Sequence, residues 1–357
     1  MIKRIDLAGN HYTMGLQHGY QVRRLRPLIS SAIRNRLLLL AKFDSDFETR
    51  IENLSLLWEE IARPTLDMMR GMAKTLSFEW DTFFRYTVGS YLVDRALQPK
   101  LNEGCTVWAA SPPTTYDGLL ILTKNRDYRL WHKDIQCLVR AKPARGYQYT
   151  YLTSAASPGV YSSGMNEAGL AVADTHVPSL DIGRGIARYS LTMDLLEHHS
   201  SVSSGIDYLN QVTHMGDGTL TLLDAQGDMV VYECGHTRQG IIRNQVGYVV
   251  STNHFVSEAL REHWMDYNSQ RLRGNSQARY DRVSRSLQSA LGQVNLQFTQ
   301  TLMASHGNRL DAMCRHQVIS PRSTTISSVI YLPKQRYLYL AQGYPCREPY
   351  RPWPAIR

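Results

Sequence analysis

A change of pattern at residue 104 constrains the fold of this 357-residue chain more than any other feature. From residue 12 to about 100, apolar residues recur at three- and four-residue steps, which is typical of amphipathic helices. From residue 105 onward, short runs rich in β-branched and aromatic residues predominate, separated by glycine or Asp/Gly turns. We therefore expect two parts, a helical N-terminal segment at 1–104 and a β-rich domain at 105–357.

The N-terminal segment contains three predicted helices. The first covers 24–43, and it begins or kinks at Pro27 because proline is tolerated only in a first turn. The second starts near the capping residues at 44–46 and ends near Pro64, and the third covers 80–97.

The second region is predicted to be mainly antiparallel β-structure. A hairpin of 105–111 with 119–125 opens it, and a second hairpin near 327–332 and 336–342 closes it. The other predicted elements are strands at 147–154, 169–175, 219–224, 228–233 and 247–252, with helices at 190–199, 203–212 and roughly 257–304. This order favours sheets that pack on each other with helices outside.

The composition is that of an ordinary globular protein, with 43% hydrophobic and 20% charged residues. The N-terminus lacks the apolar core of a signal peptide, and no apolar run approaches the roughly 20 residues that span a bilayer. We therefore expect a soluble, cytoplasmic protein. The net charge of +9 admits anionic partners, but no nucleic-acid-binding motif is present, and the arginine-rich stretch at 261–285 is expected to be a solvated basic face.

The cysteines argue against both a disulfide framework and a metal site. Their number is odd and no pair has Cys-x-x-Cys spacing. They are Cys105, Cys137, Cys234, Cys314 and Cys346.

Cys105 follows a glycine at the start of the first predicted strand. There the thiol can attack the preceding carbonyl carbon, take the acyl group from nitrogen to sulfur, and lose it to water. The product has a free α-amine, whose ordinary pKa of about 7.7–8.0 allows it to accept the thiol proton near neutral pH. Gly104 leaves the scissile carbonyl unhindered. The alternative is an ordinary buried cysteine in a strand.

Two charged residues are candidates to assist such a nucleophile. The second strand of the opening hairpin ends in Asn-Arg-Asp at 125–127, and antiparallel pairing returns Asp127 to the neighbourhood of Cys105, where its carboxylate can hold the α-amine. Arg279, on a predicted helix, can neutralise substrate charge or stabilise a thiolate. A plain strand-end carboxylate and a surface salt bridge are the respective alternatives.

Two asparagines are candidate donors to a developing oxyanion. Asn166 lies in the tight connector Gly-Met-Asn-Glu-Ala-Gly-Leu at 164–170, which is also compatible with a plain β-turn. Asn253 closes the predicted strand at 247–252. His254 follows it, which suggests a Cys/His arrangement, although a structural histidine is the alternative.

The order of these motifs resembles the N-terminal-nucleophile (Ntn) hydrolases, and among them the acyl-coenzyme A:6-aminopenicillanic-acid (isopenicillin-N) acyltransferase-like family. Choloylglycine hydrolases and penicillin V acylases share the same core. The opening LAGNHYTMGLQHGYQVR, with Gly9, Gly15, His18 and Gly19 in place, resembles that family's N-terminal stretch. LTLLDAQGDMVVYE resembles its central strand pair, so the resemblance covers nearly the whole chain.

The resemblance implies an α+β fold, a four-layer αββα sandwich at 105–357, with 1–104 as a pro-segment or a retained small subunit. It implies self-cleavage of the Gly104–Cys105 bond. The roles it implies are Cys105 as nucleophile, Asp127 holding the new α-amine, Asn253 and Asn166 serving the oxyanion, and Arg279 assisting in the site.

The resemblance also implies a small-molecule acyl donor, an amide or thioester, whose acyl group passes to water or to an amine. No cofactor, metal, nucleic-acid or membrane partner is implied, and the two fragments are expected to stay associated. One departure concerns the residue before Asn-x-Asp, an arginine in several relatives and Lys124 here, with Arg126 in the middle position. This departure alters the electrostatics beside the thiol.

Two other functions stay open on the sequence alone. The first is a non-processed Cys/His amidase with His254 or His176 as the base. The second is a catalytically silent binding protein on the same fold.

Overall fold

The computed structural model describes residues 2–43, 47–97, 104–243, 246–265, 270–308, 310–316 and 323–356. Its helices are α1 (His11–Val22), α2 (Arg26–Phe43), α3 (Phe47–Ile61), α4 (Arg63–Leu76), α5 (Trp80–Leu97), α6 (Arg188–His198), α7 (Val202–Gln211), α8 (Gln270–Ser289) and α9 (Leu296–Ala304). Its strands are β1 (Lys3–Gly9), β2 (Thr106–Ala110), β3 (Ile121–Tyr128), β4 (Gln136–Pro143), β5 (Tyr149–Ser154), β6 (Ser163–Asn166), β7 (Ala171–Thr175), β8 (Thr219–Leu223), β9 (Met229–Cys234), β10 (Gln239–Ile242), β11 (Tyr248–Ser251), β12 (Thr324–Leu332), β13 (Tyr337–Ala341) and β14 (Arg351–Pro354).

The strands form two sheets. One has eight strands in the order β1-β4-β5-β6-β7-β8-β9-β10, and the other has six in the order β11-β2-β3-β12-β13-β14. Neighbouring strands pair antiparallel except β1 and β4, which are parallel. β1 and β4 can pair in parallel because the five N-terminal helices and the first hairpin lie between them along the chain.

The two sheets pack face to face with helices on both outer faces. Alternation along β2 shows this directly, because Val107 and Ala109 face the other sheet while Trp108 and Ala110 face α8 and α9. On the opposite side, helices α1 to α7 share one apolar cluster with the outer face of the eight-stranded sheet. The architecture is the predicted αββα sandwich.

Most of the predicted elements are confirmed. The opening hairpin is β2 with β3, the closing hairpin is β12 with β13, and α2 carries Pro27 in its first turn. The predicted helix at 257–304 is wrong in extent, because it divides into a short 3-10 turn, α8 and α9. The predicted start of the second helix at 44–46 lies outside the described residues. The sequence analysis missed β1, β4, β6, β10, β14 and α4.

The N-terminal segment packs against the β-rich part of the chain and contributes a strand as well as helices. Its strand β1 forms an edge of the eight-stranded sheet, and Trp58 Nε1 donates to the carbonyl oxygen of Gly185 at 3.0 Å. Buried His18 accepts a hydrogen bond at Nε2 from the backbone N–H of Ala156 at 3.1 Å, and burial lowers its pKa to about 3. The segment therefore folds as part of the sandwich.

None of the described helices is both long enough and apolar enough to cross a membrane.

Two helices of the N-terminal segment cross in direct backbone contact. A Cβ atom at Gly15 of α1 would overlap the carbonyl oxygen of Met68 on α4, and a Cβ atom at Gly71 of α4 would overlap that of Tyr12 on α1. Glycine is therefore required at both positions, since any side chain forces the helices apart.

We predict that Gly71→Ala lowers the free energy of unfolding by about 1–3 kcal/mol, because the added methyl group overpacks the crossing. Urea denaturation followed by circular dichroism measures this change. Gly274→Ala is the matched control, since a Cβ there meets no atom within 4 Å. The control should be stabilised by about 0.5–1 kcal/mol, as for glycine replaced within a helix. Equal stability of Gly71→Ala and the wild type would show that the crossing has room.

Candidate active site

Three strand ends bring the predicted site residues together. In the β2–β3 register Thr106 lies opposite Asn125, so Cys105, one residue outward on one strand, and Asp127, two residues outward on the other, share one end of the sheet. On the other side of β2, Val107 lies opposite Ser251, which places the segment after β11, with Asn253, beside Cys105. The antiparallel hairpin predicted from the sequence therefore has the expected consequence.

Asn253 binds the backbone nitrogen of Cys105. Its Oδ1 accepts a hydrogen bond from that N–H at 3.0 Å and another from Arg279 Nη2 at 2.8 Å. Its Nδ2 donates to the carbonyl oxygen of His176 at 2.8 Å. These partners fix the orientation of the amide, with its oxygen toward Cys105.

Arg279 connects α8 to the same point. Its Nη1 donates to the carbonyl oxygen of Cys105 at 2.5 Å and to Thr106 Oγ1 at 2.9 Å, and its Nε donates to Asn275 at 3.2 Å. The guanidinium is buried, which lowers its pKa to about 10 with the help of nearby Arg315. At this pKa the guanidinium stays protonated at neutral pH. Because the side chain is buried, the alternative of a surface salt bridge is wrong.

Cys105 lines a pocket, and the residue is partly exposed. Desolvation raises the pKa of the thiol, and the positive charge of Lys124 lowers it. The carboxylates of Asp127 and Asp174 raise the same pKa, while the backbone N–H of Asp127 lowers it by donating to the sulfur. The thiol of the uncut chain is therefore protonated at neutral pH.

Asp127 is buried next to Cys105. Its Oδ1 accepts a hydrogen bond from Thr325 Oγ1 at 2.6 Å, and its Oδ2 lies 3.8 Å from Nη1 of Arg315. Among the described residues, Oδ2 has no hydrogen-bond partner. Burial raises the pKa of this carboxyl from 3.8 to about 6, against the opposing charge of Arg315.

The pocket encloses about 140 Å³ and is rich in cationic groups. Lys124 Nζ lies 2.5 Å from Asp174 Oδ1, and Arg188 Nε lies 3.1 Å from Asp174 Oδ2. Arg126 donates to neutral acceptors on Thr153 and on Ser154. Since its hydrogen-bond partners in the described structure carry no charge, Arg126 favours an anionic group in the pocket.

The sequence did not indicate that Lys124, Asp174 and Arg188 form one network. Its members lie on β3, β7 and α6, and only the sheet packing brings them together. The basic residue before Asn-x-Asp was the one available signal. At that position Lys124 supplies a positive charge near the thiol. Lysine in place of the arginine of several relatives therefore keeps a cation there.

Residues that precede Cys105 also line the pocket. Arg36 of α2 and both Tyr86 and Thr87 of α5 contribute to its wall. Arg36 Nη2 donates to the hydroxyl of Tyr128, which follows Asp127, at 3.3 Å. The N-terminal segment is therefore part of the site.

Asn166 does not take part in this arrangement, contrary to the expectation from the sequence. Its Nδ2 donates to the carbonyl oxygens of Leu196 and His199 at 2.9 and 2.7 Å, and its Oδ1 accepts from the N–H of Leu170 at 2.9 Å. The side chain satisfies the C-terminal carbonyls of α6, so its donors are not directed at Cys105.

The two histidines considered as bases differ in position. His254 is buried and its Nδ1 lies 3.1 Å from Thr252 Oγ1 and 2.8 Å from Ser276 Oγ, away from the pocket lining. His176 lines the pocket, and its Nδ1 lies 3.2 Å from Asp217 Oδ1. Of these two histidines, only His176 lines the pocket. A Cys/His mechanism would therefore use His176 as its base.

Gly104 lies beneath two guanidinium groups. A Cβ atom at this position would overlap Nη1 of Arg315 and would lie 3.4 Å from Nη2 of Arg279. A side chain at this position would therefore displace the guanidinium of Arg315, whereas 3.4 Å from Arg279 is an ordinary van der Waals distance. The sequence analysis did not identify Arg315, because no local pattern marks it.

A comparison with known protein families assigns the chain to a family. Residues 114–346 match the family model described as acyl-coenzyme A:6-aminopenicillanic acid acyl-transferase. The chain belongs to this family. The match includes Asp127, Asn253 and Arg279 and begins nine residues after Cys105. The protein is thus an acyl-transferring enzyme of the Ntn amidohydrolase and acyltransferase type, with small-molecule substrates.

Solved structures of similar proteins include a variant of the conjugated bile acid hydrolase from Clostridium perfringens. It has 14% sequence identity, covers 67% of this chain and 89% of that chain, and has a TM-score of 0.47. Penicillin V acylase from Agrobacterium tumefaciens has 14% identity, covers 67% of this chain and 82% of that chain, and has a TM-score of 0.42. No curated protein sequence matches the chain.

The raised pKa of Asp127 predicts a pH-dependent effect of Asp127→Asn on stability. In the wild type, the protonated carboxyl favours the folded state, and this stabilisation is lost as the pH rises from 3.8 through about 6. The stability of Asp127→Asn relative to the wild type should therefore increase by about 3 kcal/mol between pH 4 and pH 7.

Urea midpoints across this pH range, measured in a Cys105→Ala background that keeps one uncut chain, test the prediction. The exposed Asp134→Asn is the control and should show no such trend. A difference between Asp127→Asn and its parent that does not vary with pH would contradict the assigned pKa.

Proposed function

We propose that this protein is a self-processing cysteine amidohydrolase or acyltransferase in which Cys105 is the nucleophile. The observation that carries the proposal is the position of Cys105, which lines the pocket while its nitrogen is bound by Asn253 and its carbonyl oxygen by Arg279. A nucleophile, a neighbouring nitrogen and hydrogen-bond donors are the parts that acyl transfer through a thioester requires.

Activation would break the Gly104–Cys105 peptide bond. The sulfur attacks the carbonyl carbon of Gly104, and the thiol proton passes to the departing nitrogen, which becomes the α-amine. Water then hydrolyses the resulting thioester, which releases the carboxylate of Gly104 and restores the thiol. Arg315 and Arg279, which lie against Gly104, would stabilise the negative charge that develops on its oxygen.

In turnover, the α-amine would accept the thiol proton while the sulfur attacks the substrate carbonyl carbon. The leaving group then takes that proton, and the acyl group on Cys105 passes to water or to an amine. Asp127 would hold the α-ammonium through Oδ2, the atom without a hydrogen-bond partner in the uncut chain. Asn253 would position the nitrogen through Oδ1 and would donate its second Nδ2 hydrogen to the oxyanion.

The substrate would be a small molecule that carries a negative charge. Buried Arg126 lines the pocket with neutral hydrogen-bond partners, so a carboxylate or phosphate of the substrate would supply its counter-charge. The positive charges of Lys124 and Arg188 are already opposed by Asp174.

The segment at 1–104 would remain bound after the cut as a small subunit. Its strand β1 pairs with β4, and its side chains Arg36, Tyr86 and Thr87 form part of the pocket wall. Loss of this segment would expose the outer face of the eight-stranded sheet and open the pocket.

We predict that the purified wild type consists of two fragments that meet at Gly104 and Cys105 and that elute together from a sizing column. Cys105→Ala should remain a single chain, because no thiol is available to attack. Intact-mass spectrometry and N-terminal sequencing measure both results. Cys137→Ala is the control, since this buried cysteine of β4 should not affect the cut.

Two results would contradict self-processing. An uncut wild type that is active, and that loses activity in His176→Ala, would indicate a Cys/His amidase. An uncut wild type whose Cys105 is not acylated by thiol-directed substrates would indicate a binding protein.

We predict that Asn253→Ala lowers turnover by about 10²–10³-fold, as expected for loss of one oxyanion donor. Steady-state kinetics on any amide that the wild type hydrolyses gives the value. Near-normal turnover of Asn253→Ala would remove this residue from the site.

Asn253→Asp separates the two roles of this side chain. The carboxylate keeps the acceptor toward Cys105 N and Arg279 but loses the Nδ2 donors. Self-cleavage that persists with impaired turnover would assign the oxyanion role to Nδ2. Unimpaired turnover of a variant that still cleaves itself would leave Asn253 only a positioning residue.

A further inference from the structure

Four side chains with metal-binding atoms converge outside the pocket. Their ligand atoms all lie within 4.8 Å of one another, and they belong to His306, Cys314, His316 and Cys346. The first three lie between α9 and β12, and Cys346 lies between β13 and β14. Two separate segments of chain therefore meet at a single point.

The separations between these atoms fit the edges of one tetrahedron. The two sulfurs are 3.5 Å apart, the Nε2 atoms of His306 and His316 are 3.3 Å apart, and Cys314 Sγ is 3.5 Å from His316 Nε2. Tetrahedral zinc, with Zn–S near 2.3 Å and Zn–N near 2.0–2.1 Å, requires about 3.8, 3.3 and 3.5 Å for these pairs. A fourth pair, His316 Nε2 and Cys346 Sγ, is closer at 3.1 Å, and the ligand atoms of the other two pairs, His306 with each cysteine, lie within 4.8 Å of each other.

We propose that His306, Cys314, His316 and Cys346 bind one Zn²⁺ ion as a structural Cys₂His₂ site. Four protein ligands close the coordination sphere, which leaves no open position for a substrate and distinguishes the site from a catalytic one. On binding, both thiols give their protons to solvent, and the two neutral imidazoles coordinate through Nε2.

A disulfide is the competing interpretation of the two cysteines. The sulfurs are 3.5 Å apart, well beyond a bond length of about 2.05 Å, and a disulfide would leave the convergence of two imidazoles on the same point unexplained. Soft thiolates combined with imidazoles select zinc among the common metals of the cell.

The surroundings hold the ligands in these positions. The ring of Tyr344 stacks on His316, with centroids 4.1 Å apart and planes 14° apart, and the hydroxyl of Tyr344 accepts a hydrogen bond from Thr324 Oγ1 at 3.0 Å. The backbone N–H of Cys314 donates to the carbonyl oxygen of Ser305 at 3.0 Å. Such outer contacts orient metal ligands and support their affinity.

The site would also position a residue of the proposed processing centre. Arg315 lies between two of the ligands and reaches both Asp127 and Gly104. Its backbone N–H donates to Thr325 Oγ1, and its carbonyl oxygen accepts from the N–H of Thr325. A metal that fixes the residues on both sides of Arg315 would fix its guanidinium against the Gly104–Cys105 bond. The metal site itself does not depend on the proposed reaction.

No motif of the sequence indicates this site, and the expectation that the cysteines bind no metal rested on spacing alone. Only Cys-Arg-His at 314–316 has two ligands close together, and Cys346 follows thirty residues later. Zinc motifs are recognised from paired Cys-x-x-Cys or His-x-x-x-His spacing. Here the tertiary fold brings the second segment to the first.

Metal analysis of the full-length protein, produced without a histidine tag in zinc-supplemented medium, tests the proposal. Inductively coupled plasma mass spectrometry should find about one zinc per chain. Protein reconstituted with Co²⁺ alone should show thiolate-to-cobalt charge-transfer absorption and the intense visible bands of tetrahedral cobalt. Cys346→Ser and His316→Ala should lose the bound metal, whereas the matched controls Cys234→Ser and His198→Ala should keep it.

The wild-type measurements decide the question even if the ligand variants fail to fold. Metal-free wild type that gives no cobalt spectrum would overturn the proposal. A Cys314–Cys346 disulfide, found by peptide mass spectrometry after alkylation without reduction, would overturn it as well. Metal retained equally in the ligand variants and the controls would show that the ion binds elsewhere. Because none of these measurements uses activity, they do not depend on self-processing.

Discussion

The buried guanidinium of Arg279 connects the parts of the molecule on which the site depends. It donates to the backbone of Cys105, to Thr106 at the start of β2, and to Asn253 after β11. Its helix α8 belongs to the outer layer, so one side chain joins that layer to two strand ends. Without it, several buried acceptors would lose a donor, at about 1–3 kcal/mol for each unsatisfied group. The geometry of the nucleophile therefore follows from a single buried charge.

The bond between Gly104 and Cys105 lies where the helical sequence pattern changes to the β-rich one, but the residues on its two sides pack together in the fold. The residues on its N-terminal side contribute β1 to a sheet and Arg36, Tyr86 and Thr87 to the pocket. The bond itself precedes the first residue of β2, so no ladder hydrogen bond of the strand depends on it. A cut at this position would create a new terminus in the pocket while both fragments keep their packing.

The local sequence pattern was sufficient to predict elements that depend on interactions between residues close along the chain. The β2–β3 hairpin followed from two apolar runs with an Asp/Gly turn between them, and the register of that hairpin then placed Asp127 beside Cys105. Pro27 likewise marked the first turn of α2. Strand β1 was missed because its partner, β4, lies more than a hundred residues away and covers an edge that only the finished sheet presents.

The residues that local pattern could not assign depend on contacts between distant elements. Asn166 ends β6 and Asn253 follows β11, yet one satisfies the carbonyls of α6 and the other binds Cys105. The sequence by itself determined the class of fold, the first and last hairpins and the place of Cys105 at the start of the first one, because periodicity and turn chemistry act between neighbours along the chain. Only the tertiary structure decided which amide faces the cysteine, which cations line the pocket and which cysteines meet two histidines. Those outcomes depend on distances across the sheets and loops, which no spacing in the sequence records.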